Sequence, residues 1–119
     1  MQERIHFLTH FGRDALRIGS LTPTWRPTAR ALASEALRRD GPQRILEVGT
    51  GTGAVSAEIA RHLGPEDRPV LYELHPEFAA FMRRRLAEDP VFARHRERIE
   101  LREGDICDLA PAERFDTIV

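Results

Sequence analysis

Hydrophobic positions along this chain follow two periods in turn. Four short apolar runs, Arg44–Val48, Pro69–Leu74, Arg98–Arg102 and Phe115–Val119, have strand length and are bounded by Gly, Pro or Asp. Between them the spacing becomes helical. Ala54, Val55, Ala57, Ile59, Ala60 and Leu63 predict a helix from about Gly53 to Leu63. Phe78, Ala79, Phe81, Met82 and Leu86 predict another, opened by His75-Pro76 and broken at Asp89-Pro90, with a short turn over Val91–Arg96. Upstream, Ala29, Leu32, Ala33, Ala36 and Leu37 share one face of a helix over about Pro27–Arg39. Pro27 suits its first position, and Arg38 and Arg39 complement the dipole of its last turn. Asp40-Gly41-Pro42 ends it.

Residues 3–18 form a further amphipathic pattern. Ile5, Phe7, Leu8, Phe11, Ala15, Leu16 and Ile18 fall on one half of the helix, and His6, His10, Arg13 and Arg17 on the other. Packing of the apolar half on the domain is the favoured reading. An interfacial helix, apolar face in lipid and basic face toward anionic headgroups, is the sharper one. Trp25, in the Gly19–Pro27 loop, is read as a packing residue in preference to a ligand-stacking one.

Alternating strands and helices predict a parallel sheet, an α/β architecture in the form of a Rossmann-like three-layer sandwich, with helices preceding the first strand. Strand three alternates Ile99 and Leu101 with charges and belongs near an edge. Ile106–Ala110 is a loop or a short helix. A helical segment, 1–42, is expected to precede the α/β unit, 43–119.

Composition adds exclusions. With 41% hydrophobic and 31% charged residues, the chain is globular in type, not disordered. A net charge of −1 gives no nucleic-acid signal, and no apolar run approaches the roughly 20 residues of a bilayer span. Cys107 is the only cysteine, so no intrachain disulfide forms. That fits a reducing, cytoplasmic setting, peripheral on the inner face of the membrane if residues 3–18 are interfacial. His6 and His10 lie one turn apart without a third ligand, so no metal is expected. The Arg83-Arg84-Arg85 run reads as a solvated helix face.

The chemistry centres on Glu47-Val-Gly49-Thr50-Gly51-Thr-Gly53, a glycine loop between strand one and its helix. Glycine there admits positive φ and close approach of a ligand to the backbone. In parallel sheets ligands bind beyond the carboxyl ends of the strands, where this loop, Glu73 with Leu74, and Asp105 with Ile106 all fall. Two nucleotides compete. Gly49-x-Gly51-x-x-Ala54 with Glu73 about 20 residues on satisfies a relaxed dinucleotide fingerprint. Glu47, two residues before the first glycine, opposes a pyrophosphate and favours a cationic ligand, and Asp105 can accept from an adenine amine. That combination suits S-adenosylmethionine.

These residues resemble a family. Glu47-Val-Gly-Thr-Gly-Thr-Gly53, Glu73, Glu103-Gly-Asp105 and Phe115-Asp-Thr-Ile-Val119 look like the successive motifs of class I S-adenosylmethionine-dependent methyltransferases. The resemblance implies that Gly49, Thr50, Gly51 and Gly53 hold the methionine part and Glu73 the ribose. It places Asp105 and Ile106 at the adenine, with Leu74 beside the site and Glu47 orienting the loop. It also implies seven strands, of which four are readable, so the C-terminal strands are absent. The N-terminal part, through Gly19-Ser-Leu-Thr-Pro-Thr-Trp-Arg-Pro27, is similar to the start of bacterial phospholipid N-methyltransferases, with Thr50 and Trp25 departing from their usual residues. The acceptor implied is a lipid headgroup amine or another small molecule. An RNA adenine methyltransferase, an NAD(P)-dependent oxidoreductase and a non-catalytic nucleotide-binding module are the alternatives. No residue is an obvious general base, and the catalytic residues stay unassigned.

Overall fold

The computed structural model describes residues 25–37 and 40–119. The amphipathic pattern over residues 3–18, the His6/His10 pair, the Arg38–Arg39 pair and the surroundings of the Trp25 side chain lie outside the described residues. The elements are α1 (Trp25–Ala36), β1 (Arg44–Val48), α2 (Ala54–His62), β2 (Arg68–Glu73), α3 (Pro76–Glu88), β3 (Glu100–Glu103) and β4 (Thr117–Ile118). Short 3-10 turns occupy Pro90–Phe92, Arg96–Arg98 and Ile106–Asp108.

The four strands form one parallel sheet in the order β3-β2-β1-β4. β3 takes the edge that its alternating pattern implies. The strand order reverses beside β1, which places a topological switch point next to the glycine loop.

Alternation along each strand divides the sheet into two faces. On one, Ile45 and Leu71 meet α1, α2 and α3 through Ala33, Ile59, Met82 and Leu86, with Leu63 just past α2 and Phe92 of the Pro90–Phe92 turn. Burying each large apolar side chain here contributes about 1.5–3 kcal/mol relative to exposure. On the other, Leu46, Val70 and Tyr72 are covered by Ile106, Leu109 and Phe115 of the β3–β4 connection. That connection is tied down by charge. Glu113 bridges Arg44 at 2.8 Å and Arg102 at 2.7 Å, and the Arg44 guanidinium lies 4.4 Å from the centre of the Phe115 ring.

Three features differ from the sequence reading. α1 starts at Trp25, two residues before Pro27; Pro27 is tolerated because the first N–H groups of a helix have no intrahelical partner. Leu32 is exposed, because α1 meets the core along the narrow seam of Ala29 and Ala33. β3 begins at Glu100 and not Arg98, since the Arg98 and Ile99 N–H groups donate to the His95 carbonyl and close a turn there. Among the described residues no helix is long and apolar enough to cross a membrane.

Candidate functional site

The carboxyl ends of three adjacent strands are locked in step. The Gly49 N–H donates to the Tyr72 carbonyl at 2.8 Å, and the Gly104 N–H to the Glu73 carbonyl at 2.9 Å. The glycine loop, Glu73 and the Gly104-Asp105 turn therefore sit side by side across two strand spacings, about 10 Å. Asp67, Gln43 and a cavity of about 360 Å³ occupy the opposite, amino end of the sheet and include none of these residues.

The loop makes a tight entry into α2. Gly51 has φ of +53°, and a Cβ built on it meets nothing within 4 Å, so its outer side is open. Gly53 has φ of +87° and is closed behind: its Cβ would stand 2.5 Å from Met82 Sδ. The Gly53 N–H donates to the Thr50 carbonyl at 2.8 Å, and the Gly53 carbonyl receives the Ala57 N–H. α2 has no side-chain cap, so its first-turn N–H groups are left to face the loop.

Glu73 braces this loop from β2. Although only 4% exposed, its carboxylate is well provided with donors. Oε1 accepts the Gly51 N–H at 2.8 Å and the Thr50 hydroxyl at 3.4 Å, and Oε2 accepts the His75 N–H at 3.1 Å. Thr50 is accordingly buried, while Leu74, just past Glu73, is 55% exposed beside the strand ends.

Glu47 lies beneath the loop and not open at the strand end. It is 3% exposed and accepts a 2.6 Å hydrogen bond from the Ser56 hydroxyl of α2. Burial pushes its carboxyl up to about 7; the Ser56 hydrogen bond opposes that rise and the nearby Glu73 charge adds to it. Asp105 is exposed and accepts the Cys107 N–H at 2.9 Å, which caps the short turn and holds its carboxyl below the usual range. Ile106 is half-buried against the sheet face of Leu46, Val70 and Tyr72.

Two polar contributors escaped the sequence reading. Ser56 is buried as the partner of Glu47, and nothing in its spacing marks it. Arg85 is not part of a solvated face: it turns inward, donates to the Thr52 carbonyl at 2.8 Å and pairs with Asp89 at 2.7 Å. Asp89 four residues further along the helix was the available signal.

Comparison with known proteins agrees with this geometry. The family described as "Methyltransferase domain" matches residues 45–119. An ornithine lipid N-methyltransferase of Singulisphaera acidiphila is 32% identical over 113 residues, covering 92% of this chain and 53% of that protein. A protein-L-isoaspartate O-methyltransferase of Anaeromyxobacter dehalogenans is 38% identical over 94 residues, covering 76% of this chain and 42% of that protein. Among solved structures, the O-methyltransferase TomG from Streptomyces achromogenes in complex with S-adenosylmethionine superposes with a TM-score of 0.61 at 32% identity, over 77% of this chain and 42% of that one. The chain spans about half the length of the curated relatives it matches. With its family match, its parallel sheet and its glycine loop on β1, the chain belongs to the class I S-adenosylmethionine-dependent methyltransferases.

Proposed function

We propose that the carboxyl ends of β1, β2 and β3 hold S-adenosylmethionine, and that the protein transfers its methyl group to an amine, with a lipid headgroup amine as the acceptor. The observation that carries the cofactor reading is the alignment of Gly51, Glu73 and Asp105 on three adjacent strand ends. In this reading the open side of Gly49 and Gly51 and the uncapped start of α2 receive the methionine part, whose carboxylate suits a helix N-terminus. Glu73 takes the ribose hydroxyls, Asp105 takes the adenine amine beside Ile106 and Leu74, and Thr50 and Gly53 shape the loop.

Glu47 biases the choice of ligand. Its carboxyl gives the floor of the site a negative character when ionised, which disfavours a pyrophosphate and favours an ammonium or sulfonium. The bound cofactor supplies an activated methyl group. The chain's residues supply proximity and orientation, which can contribute up to roughly 7–11 kcal/mol. An amine arriving neutral needs little acid–base help, in keeping with a site of positioning groups.

Support for a lipid acceptor comes from the N-terminal segment. The ornithine-lipid relative matches 92% of this chain, which takes in most of residues 1–42, whereas the family match begins at residue 45. The amphipathic residues 3–18 then serve as the contact with an anionic membrane surface.

Isothermal titration tests the cofactor. S-adenosylhomocysteine is expected to bind the wild type and to lose most of its affinity for Asp105→Ala; preferential binding of NADH would overturn the reading. Co-sedimentation with anionic vesicles tests the acceptor, with binding expected for the full chain and lost on deletion of residues 1–18. Equal sedimentation of the two would remove the support for a membrane-borne substrate.

A further inference from the structure

The glycine loop is gripped from two sides. From β2, Glu73 accepts the Gly51 N–H; from α3, Arg85 Nη1 donates to the carbonyl of the next residue, Thr52, at 2.8 Å. The guanidinium is itself held. Its Nε and Nη2 both donate to Asp89 Oδ2, at 3.1 and 2.7 Å, and its centre lies 5.4 Å from that of the Phe92 ring, which is fully buried. Asp89 is in turn fixed by the Val91 N–H at 3.0 Å, the first of the contacts that hold its carboxyl below the usual range. Arg85 Nη1 also stands 2.9 Å from where a Cβ on Gly53 would be, so it touches the back of the loop at two consecutive residues.

Such an arrangement exceeds what helix packing needs. Arg85 could satisfy its charge with Asp89 alone, as Arg84 does with Glu88 on the exposed side of the same helix. Arg85 instead spends one donor on a loop carbonyl, and its planar fork allows it to serve both partners at once. The pull on the Thr52 carbonyl orients the peptide that leads into Gly53 and the first turn of α2.

We propose that Arg85 is a positioning residue for the cofactor loop: through the Thr52 carbonyl it holds the loop in the shape that receives the amino-acid end of the cofactor. The proposal rests on the cofactor reading above. Arg85 approaches the loop from behind, and its effect is confined to the ligand end that the loop receives; the nucleoside end rests on Glu73 and Asp105.

The test compares two ligands by isothermal titration with the full chain. S-adenosylhomocysteine has the amino-acid end; 5′-methylthioadenosine lacks it and shares the nucleoside. Arg85→Ala is expected to weaken S-adenosylhomocysteine about tenfold or more, as for loss of one charge-assisted hydrogen bond, while 5′-methylthioadenosine binds as to the wild type. Arg85→Lys, which keeps the charge but loses the fork, and Asp89→Asn, which loosens the guanidinium, are expected to show smaller losses with the same selectivity. These two variants keep the question open to measurement if Arg85→Ala does not fold. Parallel loss of both ligands would make Arg85 a general strut of the domain and overturn the proposal, as would unchanged binding of both. Failure of the wild type to bind S-adenosylhomocysteine would instead bring down the cofactor reading itself.

Discussion

The Ser56 hydroxyl donates a 2.6 Å hydrogen bond to Glu47 Oε2, joining the first turn of α2 to the strand that precedes the glycine loop. The bond is better with an ionised carboxylate, yet burial works the other way and raises the Glu47 carboxyl to about 7 from an ordinary 4.5. Near neutrality the group is thus balanced between two states under the cofactor loop.

That balance has a sign. The folded state holds the Glu47 proton more tightly than the unfolded chain, so between pH 4.5 and 7 folding takes up a proton. The contribution of Glu47 therefore falls as pH rises through this window, and the full cost, roughly 3 kcal/mol at most, is present above it. His95 acts oppositely. Burial, followed by Arg98 and Arg94, lowers its value below 6.5, so its protonation in the unfolded chain costs stability as pH falls. The difference between wild type and Glu47→Gln isolates the first effect. In urea titrations the variant is expected to be the more stable protein at pH 8, with the gap closing toward pH 5. A constant gap would show that Glu47 does not titrate in this window. The same variant is expected to bind S-adenosylhomocysteine more weakly at pH 8, because the negative floor under the ligand's ammonium is gone.

Gly51 and Gly53 separate ligand space from packing space. Both need positive φ, which costs an L-residue about 1–2 kcal/mol. Gly51→Ala adds a methyl to open space, and is expected to lose little beyond that strain while its Cβ obstructs the cofactor. Gly53→Ala drives its Cβ against Met82 Sδ and Arg85 Nη1, at 2.5 and 2.9 Å, and adds overpacking of about 1–3 kcal/mol. Thermal melts should rank Gly53→Ala as the less stable, and titration should show Gly51→Ala binding S-adenosylhomocysteine poorly while still folded. The opposite ranking in the melts would mean that the loop packs differently.

What was legible in the sequence follows from how local its physics is. The strand–glycine–helix unit from Arg44 to Leu63 is readable because a short apolar run, three glycines and period 3.6 succeed one another without interruption. Glu73 and Asp105 are readable because a parallel sheet brings strand ends together whatever the helices do. The start of β3 is not, since the His95 carbonyl draws the Arg98 and Ile99 N–H groups into a turn, a choice made by partners three and four residues back. Arg85 is not readable from its charge run either: Arg83 and Arg84 are exposed, and only the fold brings Thr52 against the third arginine. Leu32 shares its helix face with Ala29 and Ala33 in sequence, but the seam against α2 is too narrow to cover it.

Glu73 carries two duties that substitution can divide. Its Oε1 accepts the partly buried loop N–H of Gly51, and the carboxylate as a whole is proposed to bind ribose. Glu73→Ala leaves the Gly51 N–H without its acceptor, at a cost of about 1–3 kcal/mol, and removes the ribose contact as well. Glu73→Gln keeps a carbonyl oxygen for Gly51 but loses the charge and the second oxygen, which accepts the His75 N–H. Denaturant titration is expected to place Glu73→Gln between the wild type and Glu73→Ala, with nucleoside affinity reduced in both. Equal destabilisation of the two would mean that the acceptor kept for Gly51 does not by itself brace the loop.

Phe92 links the core to the cofactor loop. Fully buried, it packs with Ala57, Ala60, Leu71, Met82 and Leu86, and its ring backs the Arg85 guanidinium. Truncation to Ala removes a whole ring from a dense cluster and typically costs about 3–5 kcal/mol, a large share of the 5–15 kcal/mol that stabilises a domain. Phe92→Leu keeps most of the volume and is expected to cost less, but it takes away the flat surface behind Arg85. Its folded population should therefore stay high while the grip on the Thr52 carbonyl weakens. Two measurements on Phe92→Leu decide the matter: a urea midpoint close to wild type, and an S-adenosylhomocysteine affinity lowered in the same direction as in Arg85→Lys. An affinity unchanged from wild type would show that Asp89 alone suffices to aim the guanidinium, and that the ring serves only the core.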